Sequence, residues 1–247
     1  MRLGGRLRGG FRVAAMLGLL AASLILYYIW RLFGLTNPWP RRFLGAMAWI
    51  AGARVRTVGT VPRGGAMILA NHLSWLDILV LARASGTAFV AHAGLAENRL
   101  LKWLCDMNRT VFVTRSRRGS VADQVDQVRA GLAHGGLLTI FPEGTTGDGR
   151  MLLPFKSSLL SALDPPPPGV IVQPVRIDYG DAARDIAWVG DEPGIANFFK
   201  ILARPGTFAV TLTFAPPFAP GEAGGRKAIA AEARARVAAV SREGEIR

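Results

Sequence analysis

The chain has 247 residues, enough for one large α/β domain and a small appendage. Half of it is hydrophobic, which is high for a fully soluble protein, and a net charge of +13 calls for an anionic partner. A single cysteine, Cys105, excludes an intrachain disulfide framework or a cysteine-based zinc site; His72, His92 and His134 form no H-E-x-x-H pattern, so no metal is expected.

The charge is concentrated at the start. Ten arginines, from Arg2 to Arg63, precede the first acidic residue, Asp77. The residues between them are greasy, which favours anionic lipid over nucleic acid as the partner. Residues 13–30 form an uncharged run of 18 bracketed by Arg12 and Arg31. That length just suffices to cross a hydrocarbon core, and Tyr27, Tyr28 and Trp30 end it like interfacial aromatics. Asn37-Pro38-Trp39-Pro40 then breaks the helix. A second apolar stretch, 43–53, is too short to span, and Arg41, Arg42, Arg54 and Arg56 around it suit a headgroup layer. Three arrangements compete. A cleaved signal peptide needs small residues at its cleavage site, whereas this run ends in Tyr-Tyr-Ile-Trp-Arg. A single span would carry everything after residue 31 across the membrane. A helical hairpin lying in one leaflet keeps the rest on the side of the basic N-terminus, which is expected to be cytoplasmic. Residues 1–53 are read as that hairpin and 54–247 as an α/β domain.

From about residue 54 short apolar runs alternate with helical stretches. Strands are expected at 66–70, 88–91, 110–114, 137–141, 170–175 and 208–214. Helices are expected at 77–84, 98–107, 121–134, 156–163, 195–202 and 226–242. The clearest is 121–134: Ser120 can cap it, Asp123 lies in its first turn, and Val121, Val125, Val128 and Leu132 share one face. This order gives an α/β fold with a mainly parallel or mixed central sheet flanked by helices. The four prolines at 165–168 read as a stiff connector.

Two loops follow apolar strands and carry chemistry. In the first, Asn71-His72-Leu73-Ser74-Trp75-Leu76-Asp77, neutral imidazole is the usual base near neutral pH, and a carboxylate can hold its tautomer. Five residues is not a same-face helical spacing, so the pairing needs His72 in the turn and not in the helix. The same residues also fit a capped helix start, with Asn71 or Ser74 as cap and His72 incidental. In the second, Phe141-Pro142-Glu143-Gly144-Thr145-Thr146-Gly147-Asp148-Gly149-Arg150, glycines can turn backbone N–H groups toward an anion, and Lys156 follows. A plain glycine-rich connection is the alternative. The strand at 110–114 ends in Arg115, which can grip a phosphate or simply be solvated.

Taken together, NHLSWLD, TVFVTR, FPEGTTGDG followed by LLPFKSS, and VIVQPVRI resemble, in order and spacing, the four sequence blocks of the glycerolipid acyltransferases, the 1-acylglycerol-3-phosphate acyltransferase-like family. The likeness covers about residues 66 to 177. It implies an O-acyltransferase in which His72 activates the acceptor hydroxyl for attack on an acyl thioester and Asp77 orients it. Arg115, Glu143 and Gly144 would shape the acceptor site, with Thr145 and Lys156 also facing substrate. Val172, Pro174 and Val175 match the hydrophobic fourth block. No cofactor is implied beyond the co-substrate, an acyl-carrier-protein or coenzyme A thioester. The partners are the bilayer and a lysolipid, and the expected location is the inner membrane with the domain facing the cytoplasm.

There are departures. Members that form phosphatidic acid usually read EGTRS, with basic residues where Thr146, Gly147 and Asp148 stand here. Together with Ile186-Ala187-Trp188-Val189-Gly190-Asp191, the loop looks like a bacterial branch that includes lyso-ornithine-lipid acyltransferases. The acceptor stays open between the two. Rivals from other classes are a non-catalytic basic membrane-binding protein, which leaves both loops unexplained, and a hydrolase, for which the G-x-S-x-G elbow is missing. Among single residues, Cys105 is expected as a buried small hydrophobe, His134 as a helix end, His92 near a strand end by the site, and Trp75 as packing beside His72.

Overall fold

A computed structural model describes residues 3–113, 121–133 and 135–244. Arg115, His134 and the expected cap Ser120 lie outside the described residues, as does the side chain of His92. The chain opens with two helices, α1 (Leu3–Leu32) and α2 (Trp39–Ala51). The break between them uses Asn37, whose Oδ1 accepts from Trp39 N at 3.1 Å and whose Nδ2 donates to Tyr27 O at 3.0 Å. Gly52, at φ +104, ends α2 and lets the chain turn at once into β1 (Ala53–Val58). That strand was not expected. Its arginines suit a headgroup layer, but Arg54 and Arg56 alternate with Ala53 and Val55, and the period of two puts them on the outer face of an edge strand.

The sheet continues with β2 (Ala66–Ala70), β3 (Ala88–His92), β4 (Val111–Val113), β5 (Leu137–Ile140), β6 (Ile171–Asp178) and β7 (Phe208–Phe214). Its order is β1-β7-β6-β2-β5-β3-β4, parallel throughout except for the β6–β7 pair. β2 lies at the centre and is buried on both sides. Ile68 and Ala70 join the core under α2 and α3 (Leu76–Ser85), while Met67 and Leu69 join the opposite one. That second core lies beneath α5 (Val121–Ala133), where Val128 and Leu132 are buried as the helical period predicts, and α9 (Arg226–Gly244). α4 (Arg99–Met107) is capped by Asn98 and buries none of its residues; Cys105 on it is only half-buried, a correction to the expected buried hydrophobe. Short α6 (Ala183–Ile186) and α7 (Gly194–Ala203) cross on the α2 side, and one turn, α8 (Pro220–Ala223), precedes α9.

The helix expected at 156–163 is instead a 3-10 helix, Ser157–Leu163. Lys156 is extended and gives its N–H to Pro142 O at 2.8 Å, so the helix starts one residue late. Pro165 then forces Asp164 into extended backbone, which stops it. Pro174 is unusual inside a sheet, because it cannot donate to the ladder. The Gln173 side chain replaces the missing donor: its Nε2 donates to Ala215 O at 2.6 Å, beside the bond from Ala215 N to Pro174 O.

The N-terminal arginines take an unexpected role. Arg8 donates to Ala203 O, and Arg12 to Leu202 O, Arg204 O and Gly206 O, so both cap the C-terminal end of α7. Arg41 does the same for α3 through Arg83 O and Ala84 O. Gly5 and Gly9 face Ala203 closely, which explains why α1 extends ten residues ahead of the apolar run: this end is packed against protein. α1 is also, among the described helices, the one long and apolar enough to cross a membrane. Leu17, Ile25, Leu26, Ile29 and Phe33 on or just after it are exposed.

Candidate active site

The site lies beyond the carboxyl ends of β2 and β5, where open α/β sheets place their ligands. β6 outruns β2 by several residues, so on the β2 side the Ile177 backbone meets no strand. Asn71 supplies the missing neighbour. Its Nδ2 donates to Ile177 O at 2.9 Å and its Oδ1 accepts from Ile177 N at 2.7 Å. Asn71 is therefore a strand-end clamp and not the helix cap considered above. α3 starts at Leu76 behind Trp75, with no side-chain cap bond, while Ser74 Oγ accepts from Leu76 N.

His72 sits in the turn before α3, as pairing requires. Asp77, fully buried, reaches back over its own helix start. Its Oδ2 accepts from Leu73 N at 2.6 Å and Ser74 N at 2.9 Å, and lies 2.8 Å from His72 Nδ1. Tyr179 O–H donates to Asp77 Oδ1 at 2.6 Å. Three donors converge on this carboxylate, so it is the acceptor toward the ring as well, and the imidazole proton belongs on Nδ1. Nε2 is left with its lone pair. The ring stacks on Phe141, centroids 4.0 Å apart and 13° from parallel, and its side chain keeps 19% exposure, enough for a reactant to reach one edge. Burial and the adjacent Asp77 charge hold the Tyr179 hydroxyl well above its usual range, so it remains a donor.

Glu143, in contrast, is buried at 3% exposure and takes backbone hydrogen bonds from His72 and Leu153. Burial raises its pKa to about 7, against the pull of those bonds and of the Arg176 charge. It braces the turn from behind and does not face solvent. The glycine loop closes over the same turn. Gly147 N donates to His72 O at 2.8 Å, so this N–H is already committed and does not point to an anion. Gly149, at φ +80, passes so close to Leu73 that a Cβ would stand 2.7 Å from its Cδ2, which only glycine avoids. Gly144 turns at φ +67. Thr145 and Lys156 are exposed at the surface of the loop. The structure thus gathers His72, Asp77, Glu143 and Gly144 at one turn, with Thr145 and Lys156 at its margin. Trp75 packs on Phe198. Val172 and Val175 are fully buried in the two cores.

Several contributors were not singled out from the sequence. Tyr179 lies past the matching blocks, although Val175, Ile177 and Tyr179 on one strand period hinted at a common face. Phe141 under the ring, the Asn71–Ile177 clamp and the contacts of Thr146 with Trp188 have no local signature.

This α/β fold sets an imidazole, held by a buried carboxylate and open on one edge, at the end of a central strand, a geometry suited to a general base. Its family follows from comparison: residues 53–178 match the family model described as Acyltransferase, and the chain belongs to the acyltransferase family. It is 33% identical to a lyso-ornithine lipid O-acyltransferase of Brucella abortus, over 92% of this chain and 91% of that one. It is also 33% identical to a 1-acyl-sn-glycerol-3-phosphate acyltransferase of Neisseria gonorrhoeae, over 47% of this chain and 45% of that one. The crystal structure of the 1-acyl-sn-glycerophosphate acyltransferase PlsC of Thermotoga maritima shares the fold, with a TM-score of 0.68 at 20% identity over 97% of this chain and 98% of that one.

Proposed function

We propose that this enzyme moves a fatty acyl group from an acyl-carrier-protein or coenzyme A thioester to the hydroxyl of a membrane lysolipid, the step that turns 1-acylglycerol-3-phosphate into phosphatidic acid or its counterpart on another lysolipid. The observation that carries this is the 2.8 Å contact of His72 Nδ1 with Asp77, which leaves Nε2 as the base. Nε2 takes the hydroxyl proton as the oxygen attacks the thioester carbonyl. The C–S bond then breaks, and the thiolate leaves with that proton returned from the imidazolium. His72 and Asp77 act on the reacting groups; Glu143 acts through the His72 backbone. This step calls for no metal or cofactor beyond the thioester.

α1 and α2 hold the enzyme on the inner membrane, with the catalytic domain facing the cytoplasm where the thioesters are. A single-leaflet hairpin is supported by packing at both of its ends: Arg8 and Arg12 bind α7, and β1 directly follows α2 in the same domain. A single span would pull these apart.

For the acceptor, lyso-ornithine lipid is favoured by the relative that aligns nearly end to end. Thr146 at the place of the arginine in EGTRS, with exposed Asp148 two residues on, points the same way. Purified protein in detergent is offered labelled acyl thioester with lysophosphatidic acid and lyso-ornithine lipid separately. Wild type should acylate one of them, and His72→Ala should lose transfer by at least about a hundredfold while still binding vesicles. Transfer retained by His72→Ala would reject the assigned base.

A further inference from the structure

The segment 187–193, between α6 and α7, is not used by the chemistry above, yet it touches both catalytic loops. Trp188 N donates to Leu73 O at 2.8 Å, and Thr146 O–H donates to Trp188 O. Gly147 N donates to His72 O. These three bonds close a ring of backbone around the His72–Leu73 peptide, with Thr146 as its one side-chain member.

The segment is itself held firmly. The Trp188 indole donates to Glu192 O at 2.6 Å and lies over Gly194, where a Cβ would come 3.1 Å from two of its ring carbons. Buried Asn197 on α7 donates to Ala187 O at 3.1 Å and to Glu192 at 3.0 Å; Lys200 donates to the same two groups. The C-terminal end of α7 is where Arg8 and Arg12 of α1 attach. A rigid path therefore runs from the N-terminal helix through α7 to the peptide that carries the base.

We infer that Thr146 is a positioning residue for acyl transfer: through Trp188 its hydroxyl locks the glycine loop to the His72 turn and keeps Nε2 at its working place. A threonine can do this because the segment presents a carbonyl at that spot. The inference rests on the acyl-transfer function proposed above.

The test compares Thr146→Val, which keeps the shape and removes the donor, with Thr146→Ser, which keeps the donor. Thr146→Val should lower kcat between about tenfold and a hundredfold, with KM for the thioester within about twofold and an unchanged melting midpoint. Thr146→Ser should restore most of kcat. A Val variant as fast as wild type, or a Ser variant as slow as Val, overturns the assignment. If Thr146→Val does not fold, hydrogen exchange on wild type decides: the amides of Trp188 and Gly147 should be protected together. A Trp188 amide exchanging like an open loop overturns the lock. Wild-type protein with no transfer to any lysolipid would sink the proposed function instead, and exchange would still test the lock on its own.

Discussion

Two buried carboxyl groups meet the same turn with opposite environments. Asp77 accepts hydrogen bonds on both oxygens and serves the imidazole, whereas Glu143 is held by two backbone amides and carries a burial cost those bonds do not offset. The Glu143 pKa of about 7 compares with an ordinary 4.5. Between those values the folded protein holds a proton that the unfolded chain has lost, so stability falls as pH rises through this window, by roughly 3 kcal/mol in all. Glu143→Gln keeps an acceptor and removes the titration. Its urea midpoint in detergent should gain on wild type between pH 5 and 8; parallel curves would show that Glu143 is not the group responsible. The identities of His72, Asp77 and Glu143 were legible in the sequence, because residue type and spacing suffice to suggest a base and acids. So was the pairing of Asp77 with His72; the buried place of Glu143 behind the turn was not. Whether a carboxylate faces the ring or the protein interior depends on burial, which one-dimensional spacing does not encode.

At the scale of elements, the site is made by strands of unequal length. β2 stops where β6 continues, and Asn71 fills the gap with one side chain. Asn71→Ala would leave the buried N–H and C=O of Ile177 without partners, at a cost on the order of 3 kcal/mol. Asn71→Asp, which keeps the acceptor for Ile177 N–H but sets a buried carboxylate against the Ile177 carbonyl, should cost more. Chemical denaturation of both variants checks this ranking, and equal losses would mean that the clamp is not what holds β6 here. Periodicity located β2 and β7 to the residue, since both are apolar runs between clear turn signals. It missed β1, whose arginines mimic a membrane flank, and it read a 3-10 turn as a helix because both bury residues at similar spacing. Strand pairing decides the first case, and extended backbone at Lys156 and Asp164, which leaves only a short segment between them, the second.

Across the whole molecule, the basic N-terminus is less available to lipid than its charge suggests. Arg8, Arg12 and Arg41 spend their guanidinium donors on helix ends of the catalytic domain. Arg12→Met keeps the stem and removes the three hydrogen bonds to the carbonyls of Leu202, Arg204 and Gly206. Its melting midpoint should fall, for a loss of about 2 kcal/mol, while sedimentation with anionic vesicles stays close to wild type. Weakened vesicle binding at full stability would return Arg12 to the headgroup layer. The sequence by itself determined the apolar N-terminal segments, most strands of the sheet, and the two loops that meet at His72, because each is a local pattern of residue type and period. Only the tertiary structure decided which arginines face protein, that Glu143 lies buried behind the His72 turn, and that the segment around Trp188 closes on that turn. Those are contacts between residues far apart in the chain, and they exist only once the sheet has set their distances.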